Sequence, residues 1–163
     1  MIIPEKVYEY DLTGQVSFGD LGEMETYEIL KDGRLASHFL ERQLCIWFPE
    51  LTFVDGRGHD HIDEEGNLYD QKCFTKGGLN FAPSNMIGKG RTLDEELAHS
   101  HASTITYIAC DIIDFPKVRV KFLYGTTLLG LYPKLRIPNK DRELIFYKEK
   151  PWNRMNTFSI IET

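Results

Sequence analysis

The chain has 163 residues, 42% of them hydrophobic and 27% charged, with a formal net charge of −6, which suits one globular domain that buries a core without disulfides. Its three cysteines are widely spaced and odd in number, which argues against a disulfide framework or a zinc knuckle and favours a reducing cytoplasm. No apolar run is long enough to span a membrane, and the acidic segment 1–11 lacks the pattern of a signal peptide.

The first fifty residues are predicted to be mainly helical. One helix is expected within 20–31 and a second over 34–48, where a broad apolar face ends before Pro49. We interpret residues 1–50 as a helical N-terminal part and a candidate for dimerisation, within a single domain that spans residues 1–163.

A β-hairpin is predicted after this helical part. A short β-type run at 51–54 and an irregular loop at 55–58 lead into strands 59–63 and 67–75. The intervening Glu64-Glu65-Gly66 is a three-residue loop whose glycine can take a left-handed conformation.

The remaining segments complete a mixed α+β pattern. Residues 76–91 are rich in Gly, Asn, Ser and Lys and are predicted to form a loop. Thr92 and Glu95 form a capping box for a short helix that continues to about Ala98. Strands are expected at 103–113, 118–122, 127–132 and 142–147.

The hairpin register places two carboxylates together. If Asp63 faces Asn67, Asp60 faces Asp70, and Lys72 projects from the same strand face as Asp70. Two adjacent carboxylates repel unless a cation lies between them, and Mg²⁺ accepts one or two protein carboxylates while keeping its waters. Together with a lysine this set could hydrolyse a phosphodiester.

The surrounding residues also resemble a known family. They are Gly56, Arg57, Asp60, Asp63, Gly66, Tyr69, Asp70 and Lys72, followed by Thr75-Lys76-Gly77. In this order and spacing they resemble the catalytic hairpin of the PD-(D/E)XK nuclease superfamily, and in particular of its type II restriction endonucleases. The resemblance implies an α+β restriction-endonuclease-like core, with a mixed β-sheet and a catalytic hairpin flanked by helices.

The same resemblance implies roles for individual residues. Asp60 and Asp70 would bind Mg²⁺, and Lys72 would be the catalytic lysine. The family commonly has glutamate where this chain has Asp70, and its restriction members have a glutamate where this chain has Gly58. Residues 81–86 also lack the histidines with which such a member reads bases, so the target sequence is not carried over.

Further candidates surround the hairpin. Glu41, on the preceding helix, is a candidate third acid, unless it is simply a solvated helix-face glutamate. The candidate DNA-binding residues are Lys76, Asn80, Ser84, Asn85, Lys89 and Arg91. Amides and hydroxyls contact bases or phosphates, and lysine and arginine neutralise phosphates, although turn chemistry and solvation also account for such residues in a loop.

Two H-x-H pairs leave a different function open. His59 and His61, with Glu65, have the spacing of a cupin-like metal site, and His99 and His101 form the second pair. The hairpin residues are also compatible with a non-specific or structure-specific nuclease of the same superfamily. A DNA-binding relative without activity is less compatible, because Asp60, Asp70 and Lys72 are all present.

The distribution of charge favours a polyanionic partner. Residues 1–70 carry 5 Lys and Arg against 16 Asp and Glu, whereas residues 71–163 carry 14 against 9. We therefore predict a cytoplasmic, Mg²⁺-dependent endodeoxyribonuclease of type II restriction type, with residues 51–163 as its catalytic and DNA-binding part. The expected partners are double-stranded DNA and a second copy of the chain in a homodimer, with no membrane association.

Overall fold

The computed structural model describes residues 1–54 and 58–147. Within them the helices are α1 (Glu23–Ile29), α2 (Gly33–Trp47), α3 (Glu95–Ala102), α4 (Gly125–Leu131) and α5 (Arg142–Phe146). The strands are β1 (Val7–Asp11), β2 (Thr52–Phe53), β3 (His61–Ile62), β4 (Leu68–Phe74), β5 (Leu79–Asn80), β6 (Thr106–Asp111), β7 (Lys117–Tyr124) and β8 (Arg136–Ile137). Single 3₁₀ turns occur at Ser84–Met86 and Asn139–Asp141.

Six strands form the main sheet, in the order β1-β7-β6-β4-β3-β2. β4 and β6 are parallel, and the other neighbours are antiparallel. A parallel pair needs a long crossover, which here carries β5 and α3. β5 pairs with β8 in a separate two-stranded sheet. The predicted mixed α+β class is thus confirmed.

Two apolar clusters cover the two faces of the main sheet. One packs Leu40 and Leu44 of α2 on Ile108 and Phe122, and the other packs residues of α3, α4 and α5 on Tyr107 and its neighbours. Across residues 1–54 and 58–147, no helix has the length and apolarity that a bilayer crossing needs.

The local chemistry of α2 explains its position. The Asp32 side chain accepts a hydrogen bond from the Arg34 N–H and caps the helix. Ala36, Leu40 and Leu44 recur every four residues and are fully buried, so this stripe lies on the sheet. The predicted second helix is confirmed, and the first agrees with α1.

The predicted hairpin register is confirmed as far as His61. His61 pairs with Tyr69 in the ladder, and the Asp63 N–H donates to Asn67 O at 3.1 Å. Gly66 has φ +86°, the expected left-handed conformation. The ladder then departs from the prediction, because the Asp60 N–H also donates to Tyr69 O, at 2.8 Å, and the regular strand begins only at His61.

Three predictions about secondary structure are wrong. Residues 127–132 and 142–147, expected to be strands, lie largely in α4 and α5. The third helix is capped by Asp94 rather than Thr92, and it continues to Ala102. Short apolar runs do not distinguish helix from strand, and here packing decides: a Cβ on Gly125 would lie 1.7 Å from Ala102 O, so α4 begins in tight contact with the end of α3.

The N-terminal part is not only helical. β1 pairs with β7 at one edge of the main sheet, so residues 1–50 supply a strand as well as two helices. The predicted loop 76–91 likewise contains β5. Predictions that fall on residues 55–57 and 148–163 lie outside the described residues.

Asp63 organises the hairpin turn. Its carboxylate accepts hydrogen bonds from the Glu65 and Asn67 amides, from Asn67 Nδ2 and from the Tyr69 hydroxyl. Desolvation alone would raise the pKa of Asp63, but these hydrogen bonds outweigh it and the pKa is lowered. A lowered pKa contributes stability above the ordinary carboxyl value, and that contribution is lost as the pH falls through the folded-state pKa.

We therefore expect Asp63→Ala to lower the free energy of unfolding by about 1–3 kcal/mol at pH 7, because it leaves several donors without their acceptor. The difference from wild type should narrow as the pH falls below about 4. Urea denaturation of the wild type and the variant at pH 7 and below about pH 4 measures this difference in the free energy of unfolding. The exposed Glu64→Ala is the control and should be nearly silent; an equal loss in both variants would refute the role of the Asp63 carboxylate.

Candidate functional site

The chemistry-bearing side chains converge where β3 leaves the edge of β4. Asp70 and Lys72 alternate with Gln71 on β4 and therefore share one face. Asp60 precedes β3, and its Oδ2 accepts a hydrogen bond of 2.8 Å from the Gln71 N–H. The ladder irregularity at Asp60 thus lets its side chain, rather than its backbone, serve as the acceptor on β4.

The two aspartates are in contact. Their carboxyl groups lie within hydrogen-bonding distance, and Asp70 is only 7% exposed. Burial raises the pKa of Asp70 well above its ordinary value; Lys72 opposes this shift, and the neighbouring Asp60 carboxylate adds to it. Lys72 Nζ lies 3.3 Å from Asp70 Oδ2. The predicted set of Asp60, Asp70 and Lys72 is therefore assembled in one place.

Two clefts open on either side of the aspartates. The first, the β4 cleft, has a volume of about 550 Å³ and lies between α2 and the β4–β5 turn. The second, the α3 cleft, has a volume of about 580 Å³ and is lined by Gly58, His59, Asn85 and His101 among others. Asp60, Asp70 and Ser84 line both clefts. A long substrate lying across both would pass directly over the carboxyl pair.

The loop after β5 is anchored over the site by the half-buried Lys72 and the buried Tyr107. Lys72 Nζ donates to Ala82 O at 3.3 Å, and the Tyr107 hydroxyl donates to Phe81 O at 3.1 Å. The Asn80 side chain accepts from the Ala82 N–H at 3.0 Å and so braces the same loop. These contacts hold the loop at the rim of the clefts.

The predicted DNA-binding residues divide into two groups. Asn80, Ser84 and Asn85 line one or both clefts, and all three are exposed. Lys76, Lys89 and Arg91 are exposed but are not among the residues that line these two clefts. Arg91 donates to Ser84 O at 2.8 Å, so its guanidinium also supports the loop.

Glu41 lies on the wall of the β4 cleft, on the part of α2 that faces β4. Its carboxylate is 3.8 Å from Arg42 Nη1 and 3.9 Å from His38 Nδ1. It does not join the aspartates as a third ligand, because within the described residues no three His, Cys, Asp or Glu side chains form a group that could hold a metal.

The histidines do not form the cupin-like set. His61 is fully buried, with Nε2 2.6 Å from Glu41 O, and burial lowers its pKa. Glu65 is exposed in the hairpin turn, and His99 lies beside Pro133 O at 2.8 Å. Only His59 of the first pair lines the α3 cleft.

His101 belongs to the site, and the sequence pattern did not reveal this. It lines the α3 cleft from α3, and burial lowers its pKa, with a further lowering by the Lys72 ammonium and an opposing hydrogen bond to the Gly58 backbone. Its Nε2 is buried without a hydrogen-bond partner in the described part of the chain. Arg34 and Arg136, which line the β4 cleft, were also missed. Each comes from a segment distant in sequence, so no local motif indicates it.

The donor set fits a hard divalent cation. Two carboxylates in contact, one of them nearly buried, favour a shared proton or a bound cation. Mg²⁺ takes one or two protein carboxylates and completes its shell with water, so a third side-chain ligand is not needed.

The chain matches no protein-family model and no curated protein sequence. The chemistry of these clefts is therefore inferred from their side chains.

Gly58 is required where the chain enters the site. It has φ +81°, and a Cβ there would lie 2.7 Å from His101 Cε1. We expect Gly58→Ala to destabilise the protein by more than the roughly 1–2 kcal/mol that the left-handed backbone costs an alanine. Gly66→Ala is the matched control, since Gly66 has φ +86° but no atom within 4 Å of its Cβ position.

Thermal denaturation of both variants, and of the Gly58→Ala/His101→Ala double variant, separates the cost of the clash with His101 from the cost of the left-handed backbone. The double variant should regain the stability lost to the clash and retain the loss caused by the backbone. Equal losses in Gly58→Ala and Gly66→Ala would show that His101 does not pack against this segment.

Proposed function

We propose that this protein is a Mg²⁺-dependent endodeoxyribonuclease of the PD-(D/E)XK type, acting as a type II restriction endonuclease. The observation that carries the proposal is the convergence of Asp60, Asp70 and Lys72 at the junction of two clefts. Two carboxylates and one ammonium in a half-buried place form a set suited to phosphodiester hydrolysis.

Asp60 and Asp70 would hold the metal. Asp60 is oriented by the Gln71 amide, and Asp70 is oriented by β4, which is paired with β6 beside it. When bound there, Mg²⁺ would neutralise developing charge on the scissile phosphate and make a water molecule more acidic. The carboxylates would contribute the negative charge that attracts the cation, and their mutual repulsion would fall when it binds.

Lys72 would act on the reacting atoms. Its ammonium lies between Asp70 Oδ2 and Ala82 O, beside the proposed metal ligands. From there it can donate a hydrogen bond to the attacking water or to a non-bridging phosphate oxygen. The water oxygen would form the new bond to phosphorus and lose a proton to solvent. The bond to the 3′ oxygen would break, and that oxygen would take a proton from solvent and leave as a 3′-hydroxyl, so that a 5′-phosphate remains, as the family resemblance implies.

The proposed substrate is double-stranded DNA in the cytoplasm. A palindromic target calls for a two-fold homodimer, so we propose a homodimer as the active form. Cleavage of mixed DNA with Mg²⁺ tests specificity: discrete fragments support a restriction enzyme, whereas a smear indicates a non-specific nuclease of the same superfamily. No cleavage of either kind in Mg²⁺ would refute the proposed activity.

Asp70→Asn should abolish cleavage and leave DNA binding measurable, because it removes one carboxylate ligand without changing the size of the side chain. We expect a rate loss of at least about 10²–10³-fold. Mg²⁺ should also raise the melting temperature of the wild type, since binding at about 100 times Kd contributes roughly 2.7 kcal/mol, and this stabilisation should be lost in the variant.

The exposed Asp20→Asn removes the same charge away from both clefts and serves as the control. It should cleave DNA and respond to Mg²⁺ as the wild type does. Near-normal cleavage by Asp70→Asn would refute the proposed metal site.

Lys72→Ala should lose chemistry more than metal binding. Both carboxylates remain, so Mg²⁺ should still stabilise the variant, while the single-turnover rate should fall by roughly 10²–10³-fold. Lys117→Ala, which removes an exposed lysine from β7, is the matched control. An unchanged rate constant for Lys72→Ala would exclude a catalytic role for the ammonium.

A further inference from the structure

Two segments of the chain contain basic residues and no acidic ones. Residues 75–91 and 133–140 carry six cations and not one Asp or Glu, in a protein whose net charge is −6. Their cations are Lys76, Lys89, Arg91, Lys134, Arg136 and Lys140, and all six are exposed. Within the described residues none of the six forms a salt bridge.

The fold joins these two segments into one surface, which we call the basic platform (residues 75–91 and 133–140). β5 pairs with β8, and the Phe81 N–H donates to Leu135 O at 2.9 Å. Arg136 Nη2 donates to Gly77 O at 3.2 Å, and Asn139 Nδ2 donates to Lys76 O at 3.0 Å. Lys76 and Arg136, which are more than fifty positions apart in the sequence, are thereby held on one small sheet and its turns.

The basic platform is continuous with the carboxyl site. Gly77, Asn80, Ser84 and Arg136 of the platform line the β4 cleft together with the two aspartates. A polyanion bound on the platform would therefore extend into the cleft where the carboxylates lie. Two acids of the N-terminal half, Glu28 and Asp32, lie beside one end of the platform, where they line a small cleft together with Lys76 and Gly77.

The side chains of the platform indicate the form of nucleic acid. Proteins that hold single strands stack the bases on exposed aromatic rings. The sole aromatic residue in the two segments is Phe81, which is fully buried. Cations without stacking rings contact phosphates, which position a duplex without reading its sequence.

We infer that the basic platform binds the sugar–phosphate backbone of duplex DNA, with Lys134 and Lys140 as phosphate contacts additional to the cleft. The inference rests on the proposed function in that the bound duplex is the substrate of the carboxyl site. Neutralising phosphates releases counterions, so each contact adds about 0.9 to the slope of log K against log salt concentration.

The test uses the full chain in EDTA, where binding is separated from cleavage. Fluorescence anisotropy with a labelled duplex, and with one of its strands, is measured from about 50 to about 200 mM salt. Lys134→Gln/Lys140→Gln should reduce the salt slope by about two, so that over this range the variant loses roughly tenfold less affinity than the wild type loses. Lys6→Gln/Lys117→Gln, near β1 and β7 at the far edge of the sheet, is the matched control and should leave the slope unchanged.

The binding measurements test this inference independently of whether the protein cleaves DNA. Duplex affinity above single-strand affinity, with a slope lowered only in the platform variant, supports it even if Mg²⁺ produces no cleavage. Equal slopes in the two double variants, or a single strand bound as tightly as the duplex, overturns it even if Mg²⁺-dependent cleavage is observed.

Discussion

The contact between the Asp60 and Asp70 carboxyl groups is the interaction on which the rest of the site depends. Two carboxylates repel at this distance, more strongly where water is excluded, so the backbone must hold them together. Asp70 is held because β4 is an interior strand of the sheet, paired with β3 and β6. Asp60 is held by its own backbone, whose N–H and C=O bond Tyr69 and Val54, and by the Gln71 amide. The pairing and packing of the sheet thus hold the two carboxyl groups together, and the raised pKa of Asp70 indicates that a proton relieves part of their repulsion.

The same constraint bears on the arrangement of charge in the molecule. Any anion that approaches two carboxylates is repelled unless cations surround them. Lys72 supplies one cation inside the site, and Arg34 and Arg136 lie on the wall of the β4 cleft. The acid-free segments 75–91 and 133–140 extend this positive region away from the cleft. A chain with a net charge of −6 can therefore present a local surface for a polyanion, because its acids lie mainly in residues 1–70.

A feature of the site could be predicted from the sequence where the residues that form it are close together along the chain. The hairpin is local, since Asp63 and Gly66 set the turn, and through it the register that brings Asp60 near Asp70. The departure of Asp60 from the ladder was not predictable from the hairpin, because it involves a bond to Val54, which directly follows β2. His101 reaches the α3 cleft only through the crossover between β4 and β6. The two-residue strands β5 and β8 are too short to show a period of two, and α4 and α5 show no period that separates them from strands.

The contacts that anchor the loop after β5 help to distinguish two possible roles of Lys72, supplying charge and supporting the loop. Lys72 bonds Ala82 O, so its ammonium could in principle be needed simply to hold the loop. The adjacent carbonyl, that of Phe81, is held independently by the buried Tyr107 hydroxyl, and the Phe81 amide is held by Leu135 of the small sheet. Asn80 adds a third bond to the same loop. Because three other contacts retain the loop, the position of Lys72 beside Asp70 is better explained by a requirement for positive charge at the carboxyl pair than by a requirement for loop support.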